Sequence, residues 1–180
     1  MRCRLVGSEM CIRDRLSVLH EMKPKNDFFE SSSDSPVAQM SDQEFLQAKA
    51  TYFGLMTEID EQLGRIFDYL KATNQYDSTL IVFTSDHGEQ LGDHYLFGKL
   101  GYFDASYHIP LIIRDPNRQL QNVKTLEHFS ESVDVMPTIL DWLGLEIPDQ
   151  CDGRSLLPFF ENEVPRNWRE EVHSEFDFRW

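Results

Sequence analysis

An apolar run that ends in a polar cluster constrains this chain more than any other feature. Residues 79–84 read Thr-Leu-Ile-Val-Phe-Thr, and Asp86 and His87 follow them directly. A short run of β-branched and aromatic residues bounded by turn formers predicts a buried strand. Open α/β sheets bind their ligands at the carboxyl ends of such strands. The pattern therefore predicts an α/β fold with a ligand site at the end of a core strand.

Asp86 and His87 carry the donor atoms that divalent metals take from proteins, a carboxylate oxygen and an imidazole nitrogen. Gly88 lets the backbone curl, so that two adjacent side chains can converge on one point. These residues also fit a second interpretation, a strand-to-loop turn with two solvated side chains, because Asp and Gly are ordinary turn residues.

A long loop, residues 92–107, carries three glycines and places Lys99 near its middle. A second apolar run follows at residues 109–113, and long loops between core strands are usually functional. Lys99 would hold an anionic oxygen beside the metal; the alternative is a solvated lysine, which is the usual state of Lys. Since both runs are apolar and their connection is long, we expect Asp86 and His87 at the end of a central parallel strand, with the strand at 109–113 beside or near it.

Helical patterns flank these strands. Apolar residues recur every three or four positions through residues 45–70, which predicts an amphipathic helix. Residues 41–44, Ser-Asp-Gln-Glu, form a capping box at its start. Residues 137–143 predict a shorter helix, with proline in its first turn and glycine beyond its end. Residues 24–36 are typical of a loop.

Several separate motifs resemble the sulfatase family of the alkaline-phosphatase superfamily. They are Ser-Asp-His-Gly-Glu-x-x-Gly-Asp-His at residues 85–94, Gly-Lys at 98–99, the strand at 109–113, and two later blocks at 132–140 and 152–158. Within that family the pattern is most similar to the phosphonate monoester hydrolase and arylsulfatase branch. The resemblance runs from about residue 41 to the end of the chain.

The resemblance implies a fold and a set of site residues. The fold would be part of an alkaline-phosphatase-like α/β/α sandwich with a mostly parallel central sheet. Asp86 and His87 would be metal ligands, and Lys99 would contact a substrate oxygen. His94 is a candidate for orienting the metal ligands without binding the metal itself, and Asp104 is a candidate for orienting Lys99.

The implied activity is metal-dependent hydrolysis of small anionic esters of sulfate, phosphate or phosphonate. The nitrogen of His87 favours Mn²⁺ or Zn²⁺, whereas Ca²⁺ remains an alternative because the family's other ligands are carboxylates. The net charge of −14 argues against nucleic acid or an anionic membrane as a partner. No apolar run approaches membrane-spanning length. The sequence leaves the oligomeric state open.

The sequence lacks the family's nucleophile, a cysteine matured to formylglycine within Cys-x-Pro-x-Arg, or a serine at that place. Cys3, Cys11 and Cys151 stand in other contexts, and Ser-x-Pro-x-Arg does not occur. The resemblance also implies two metal aspartates on an earlier strand, and nothing in the sequence corresponds to them. We therefore expect the later part of a sulfatase domain, inactive alone and missing its amino-terminal half. The alternative is a non-catalytic remnant, either metal-binding or purely structural.

Residues 1–15 resemble a translated sequencing adaptor, so we expect a non-native tail there and an incomplete sulfatase domain over residues 16–180. A native signal peptide would precede the visible start. The compartment is therefore unknown from the sequence, with the cytoplasm slightly favoured.

Overall fold

The structure is a computed structural model, and it describes residues 40–99, 102–118, 125–161 and 163–174. The predicted tail at residues 1–15 and the predicted loop at residues 24–36 lie outside these ranges. Contacts divide the chain into two compact units, and the boundary between their described parts falls between Asn117 and Arg118. No helix among the described ranges is long and apolar enough to cross a membrane.

The amino-terminal unit begins with helix α1, Asp42–Ala72, which is 31 residues long. The predicted capping box is confirmed. The Glu44 amide donates to Ser41 Oγ at 3.3 Å, and the Ser41 amide donates to the Glu44 carboxylate at 2.8 Å. Each side chain thus accepts from an amide that the first helical turn cannot satisfy itself. The capping box involves only four consecutive residues, so the sequence alone predicts where the helix starts.

Two aromatic contacts attach α1 to the rest of its unit. Near its start, the ring of Phe45 lies 6.5 Å from that of Phe97 and packs so closely on Gly92 that a Cβ there would lie 1.9 Å from the ring. Near its end, Phe67 meets Tyr76 edge to face at 6.2 Å. No residue of α1 is buried. The helix is therefore anchored near its two ends, and its middle is open to solvent among the described residues.

Strand β1, Ile81–Thr84, pairs with strand β2, Leu111–Arg114. Thr84 lies opposite Leu111, and Ile81 lies opposite Arg114, so the pair is antiparallel. The prediction that the second strand lies beside the first is confirmed. The prediction that β1 is a parallel strand does not hold for this pair, in which β1 runs antiparallel to β2. The strands are also less buried than predicted, since Phe83 is 36% exposed and Ile112 is 45% exposed.

The connection between the strands explains their direction. A parallel pair needs a crossover to the other end of the sheet, usually through a helix. Here the described residues between 85 and 110, which leave out 100 and 101, contain only one α-helical turn, α2 at Asp104–Tyr107. The Gly88 amide donates to the Ser106 carbonyl at 2.7 Å, so the loop folds back on itself. The chain consequently enters β2 beside the end of β1.

The carboxy-terminal unit contains helix α3, Val135–Trp142, and the single-turn helix α4, Leu157–Phe160. Helix α3 begins two residues before the predicted helix and ends one residue earlier. Phe159 and Trp168 are buried together, edge to face at 4.7 Å. The indole of Trp168 donates to the Phe129 carbonyl at 2.7 Å, so this core ring has its polar atom satisfied.

A buried carboxylate organises this unit. Asp134 is fully buried, and it accepts from the amides of Glu131 and Arg154, each at 2.8 Å. The guanidinium of Arg169 binds both of its oxygens, at 2.6 and 2.7 Å, and also lies 2.7 Å from Glu131 Oε2. The guanidinium of Arg154 donates to the Asn167 carbonyl. Asp134 thus ties together three segments that are distant in the sequence, and Arg154 is a structural residue of this network.

Candidate metal centre

The turn that leaves β1 is shaped by close backbone contacts. The Ser85 hydroxyl donates to the His87 carbonyl at 2.7 Å. At Gly88 the chain lies so close to α2 that a Cβ would stand 2.0 Å from the carbonyl oxygen of Ala105. Glycine is the residue that fits this contact without displacing the backbone. The turn therefore fixes the direction of the two side chains before it.

Asp86 and His87 converge on one point, as the sequence predicts. Asp86 Oδ2 lies 3.6 Å from His87 Nε2. The other oxygen, Asp86 Oδ1, accepts from the His87 amide at 2.9 Å. Asp86 is largely exposed and His87 is partly exposed. One carboxylate oxygen is therefore held by the backbone, while its partner oxygen and the imidazole face each other beside solvent.

The imidazole orientation determines which nitrogen is available. His87 Nδ1 lies 2.7 Å from the Gly88 carbonyl oxygen. Since a carbonyl can only accept, Nδ1 carries the proton in this arrangement. In the neutral ring the lone pair is then on Nε2, the nitrogen that faces Asp86. Metal-binding histidines are commonly oriented by such a bond from their other nitrogen.

The electrostatics keep the carboxylate ionised. The hydrogen bond from the His87 amide lowers the pKa of Asp86 below its ordinary value. An ionised carboxylate beside a neutral imidazole nitrogen is the protonation state in which both groups bind a metal.

The pair fits two ligands of a divalent ion. Bonds of about 2.0–2.2 Å to a Zn²⁺-type ion place neighbouring donors roughly 3–3.5 Å apart, close to the observed separation. Within the described ranges, no third His, Cys, Asp or Glu gathers with them into a larger metal-binding group. Asp86 and His87 are therefore candidates for part of a coordination sphere.

Lys99, the predicted substrate contact, is exposed and lies near the middle of the connection between β1 and β2. It directly follows Gly98, whose amide donates to Glu89 Oε1 at 2.7 Å. The same oxygen accepts from the Leu91 amide at 3.0 Å. No role was predicted for Glu89 from the sequence. Its position inside the family motif at residues 85–94 marked it as a candidate, but the hydrogen-bond partners of its carboxylate depend on how the loop closes.

The two supporting candidates both lie next to Phe103. His94 stacks on the ring of Phe103, with centroids 3.8 Å apart and planes 13° apart. Asp104 is exposed in the first turn of α2. In the part of the chain that the structure describes, it forms no ion pair with Lys99. The supporting roles of His94 and Asp104 stay predictions.

Known proteins match both the sequence and the fold. A family model described as Sulfatase matches residues 13–145. The multifunctional alkaline phosphatase superfamily protein PehA of Trinickia caryophylli is 56% identical over 155 residues, 86% of this chain and 30% of that protein. An arylsulfatase of Clostridium perfringens is 37% identical over 134 residues, 73% of this chain and 28% of that protein.

A solved structure agrees. Phosphonate monoester hydrolase of Agrobacterium radiobacter aligns with a TM-score of 0.68 and 48% identity, covering 73% of this chain and 26% of that one. The fold and the comparisons define part of an α/β domain of the alkaline-phosphatase type. The chain belongs to the sulfatase family. It spans about 30% of the length of PehA.

Proposed function

We propose that this chain supplies two metal ligands and one substrate-binding cation to a divalent-metal-dependent hydrolase. The substrates would be small anionic esters of sulfate, phosphate or phosphonate. The observation that carries the proposal is the Asp86–His87 pair, whose facing oxygen and nitrogen lie 3.6 Å apart at the end of β1. Membership of the sulfatase family supports the same class of reaction.

Each residue has a defined part in this proposal. Asp86 and His87 hold the ion, which when bound would neutralise charge on a non-bridging ester oxygen and lower the pKa of the nucleophile. Lys99 lies in the connection that follows the Asp86–His87 pair, and its long side chain carries a positive charge. It would stabilise negative charge that develops on a substrate oxygen. The pKa of Asp86 is lowered, so this ligand needs no deprotonation at neutral pH.

The nucleophile is assigned to no residue of this chain. None of Cys3, Cys11 and Cys151 stands in a Cys-x-Pro-x-Arg context, and no serine stands in the corresponding pattern. The sulfatase resemblance implies two further aspartate ligands, which the described residues do not supply. We infer that the nucleophile and these ligands come from sequence outside residues 16–180 in the complete enzyme.

The experiment that tests this proposal places the chain in a complete protein. In a chimera, which we call the PehA graft, this chain replaces the matching 155-residue stretch of PehA. The graft should hydrolyse a nitrophenyl phosphonate monoester or a nitrophenyl sulfate after loading with Mn²⁺, Zn²⁺ or Ca²⁺. Chelation should abolish turnover, and the ion that restores it best identifies the metal.

Variants of the PehA graft separate the roles. Asp86→Ala and His87→Ala should lower kcat/KM by on the order of 100-fold or more and weaken metal binding measured by calorimetry. Lys99→Ala should lower kcat/KM by roughly 100- to 1000-fold while leaving metal affinity unchanged. Asp60→Ala and Lys71→Ala are the matched controls, since both residues are exposed on α1. An active graft whose turnover survives Asp86→Ala would contradict the proposal.

The alternative is a non-catalytic remnant that binds metal or serves only as structure. The lack of a nucleophile motif in the sequence favours it for this polypeptide taken alone. The two readings differ in the PehA graft. A folded graft that binds metal through Asp86 and His87 but shows no turnover supports the metal-binding remnant. A folded graft without metal affinity at this pair supports a structural one.

A further inference from the structure

Glu89 lies two residues after His87, yet its described contacts are with the loop backbone. Its Oε1 accepts from the Gly98 amide at 2.7 Å and from the Leu91 amide at 3.0 Å. Asp86, His87 and Glu89 do not come together as a group of three potential ligands among the described residues. The carboxylate therefore joins the two ends of the loop that separates the ligand pair from Lys99.

This loop needs such a restraint because its backbone is strained. Leu91, His94 and Tyr95 have φ angles of 50°, 55° and 58°, in the left-handed region that side chains disfavour. Strained residues persist only where the surrounding contacts over-determine them. A further hydrogen bond, from the Gln90 amide to the Gly98 carbonyl at 2.9 Å, also joins the start of this loop to its end.

We propose that Glu89 is a positioning residue that fixes Gly98, and through it Lys99, relative to the Asp86–His87 pair. This inference rests on the proposed function for its catalytic consequence, but its structural basis is independent of metal. Without the carboxylate, two amides lose their acceptor and the strained loop loses a side-chain contact that joins its two ends. Lys99 would then sample positions away from the substrate oxygen.

The nature of the contact predicts which substitutions are tolerated. The two amides need an acceptor oxygen at the position of Oε1. Glu89→Gln keeps such an oxygen and removes the charge, whereas Glu89→Ala removes both. If Glu89 acts as a positioning acceptor, the glutamine variant should behave much like the parent. If Glu89 acts through its charge, on a metal or on Lys99, the two variants should be equally impaired.

Hydrogen–deuterium exchange measured by mass spectrometry tests the contact without any assay of activity. In the PehA graft, a peptide covering residues 90–99 should exchange about tenfold or more faster at two amides in Glu89→Ala. The same peptide in Glu89→Gln should stay close to the parent. Peptides within α1 report whether the fold is intact. Equal exchange in the parent and in Glu89→Ala overturns the proposal.

A double-mutant cycle tests whether Glu89 acts through Lys99. Glu89→Ala should lower kcat of the PehA graft by at least tenfold, and Glu89→Gln should restore most of it. In the Lys99→Ala background, Glu89→Ala should cost little more, because the group it positions is already gone. Fully additive losses would overturn the proposal. A graft that is inactive with Glu89 and Lys99 in place contradicts the proposed function, whereas the exchange result still decides whether Glu89 restrains the loop.

Discussion

At Gly88 the backbone that follows the ligand pair lies against the backbone of α2, and there is no room for a side chain. A methyl group would stand 2.0 Å from the Ala105 carbonyl oxygen. Contacts this close force the backbone to move, and overpacking of this kind typically costs about 1–3 kcal/mol. The geometry of Asp86 and His87 depends on this turn, so the same change should disturb the ligand pair.

We therefore expect Gly88→Ala to lower the midpoint of thermal unfolding of the PehA graft and to weaken its metal affinity. Gly64→Ala is the control, because Gly64 lies within α1 with nothing within 4 Å of its added Cβ. Alanine exceeds glycine in helix propensity, so this control should be neutral or stabilising by about 0.5–1 kcal/mol. Equal midpoints for the two variants would show that the turn can relax.

Asp134 offers a second test at single-residue resolution. Its carboxylate receives four hydrogen bonds, two of them from Arg169, and it has no exposed surface. Breaking a buried ion pair by removing one partner typically costs about 3–5 kcal/mol, because the remaining charge stays desolvated. Asp134→Ala should lower the free energy of unfolding of the PehA graft by about that amount in a urea titration. Asp152→Ala, an exposed carboxylate of the same unit, should change it little.

At the scale of elements, the start of α1 predicts a dependence on pH. The hydrogen bond from the Ser41 amide, followed by that from its hydroxyl, lowers the pKa of Glu44 below its ordinary value of 4.5. A carboxylate with a lowered pKa in the folded state contributes fully above its ordinary pKa. That contribution is lost as the pH falls through the lowered value. The cap should therefore weaken below about pH 4.5.

A peptide of residues 40–74 makes the cap measurable by circular dichroism. Above pH 4.5 the parent peptide should be more helical than Glu44→Ala, and the difference should shrink as the pH falls below that value. Ser41→Ala should weaken the helix by about 1 kcal/mol at neutral pH. Glu58→Ala, a substitution in the middle of the helix, is the control. It should lose helicity at low pH just as the parent peptide does. A parent-to-Glu44→Ala difference that does not change with pH would contradict the cap.

The elements that were predictable have local causes. The capping box and the apolar period of α1 operate over three or four residues, and the sequence places the start of the helix correctly. The direction of β2 was not predictable in this way. It depends on hydrogen bonds such as Gly88 to Ser106 and Gln90 to Ser106, which join residues 16 to 18 positions apart. The continuous apolar runs favour parallel, buried strands, so this pattern did not reveal the antiparallel pairing.

The same distinction between local causes and contacts distant in the sequence applies to the side chains of the candidate site. Asp86 and His87 were predictable as a pair because they are adjacent and a turn residue follows them. Glu89 was not, because its partner Gly98 is brought near only by a loop with left-handed residues at several positions. The Asp134–Arg169 pair spans 35 residues and likewise has no local signal.

At the scale of the whole molecule, the proposed function requires more groups than this chain offers. The chain has one candidate ligand pair and one candidate cation, but none of its three cysteines lies in the Cys-x-Pro-x-Arg motif. We expect the purified 180-residue chain to show no turnover of nitrophenyl sulfate or nitrophenyl phosphonate esters with any of the three metals. Reproducible, metal-dependent turnover that is lost in Asp86→Ala would contradict this and would require a nucleophile within the chain.

Apolar surface is the second property of the whole molecule. Large apolar side chains are exposed on α1, including Leu55 at 54% and Ile59 at 55%. Phe83 and Ile112 are exposed on the strand pair, and Ile81, Val82 and Ile113 are only partly covered. Extended apolar patches and exposed strand edges both promote association. The net charge of −14 opposes it, but charge repulsion also destabilises a compact state.

We therefore expect the isolated chain to be poorly soluble or molten, with strong binding of a hydrophobic dye and no cooperative thermal transition. Adding Mn²⁺ or Zn²⁺ should change this little, because two ligands bind an ion too weakly to shift folding by mass action. The PehA graft is the control, since the same apolar side chains have the rest of a sulfatase domain beside them. A monomeric chain with a sharp thermal transition and dispersed amide NMR signals would contradict the prediction. Residues 16–180 would then form a self-sufficient domain, whose exposed apolar side chains are tolerated at its surface.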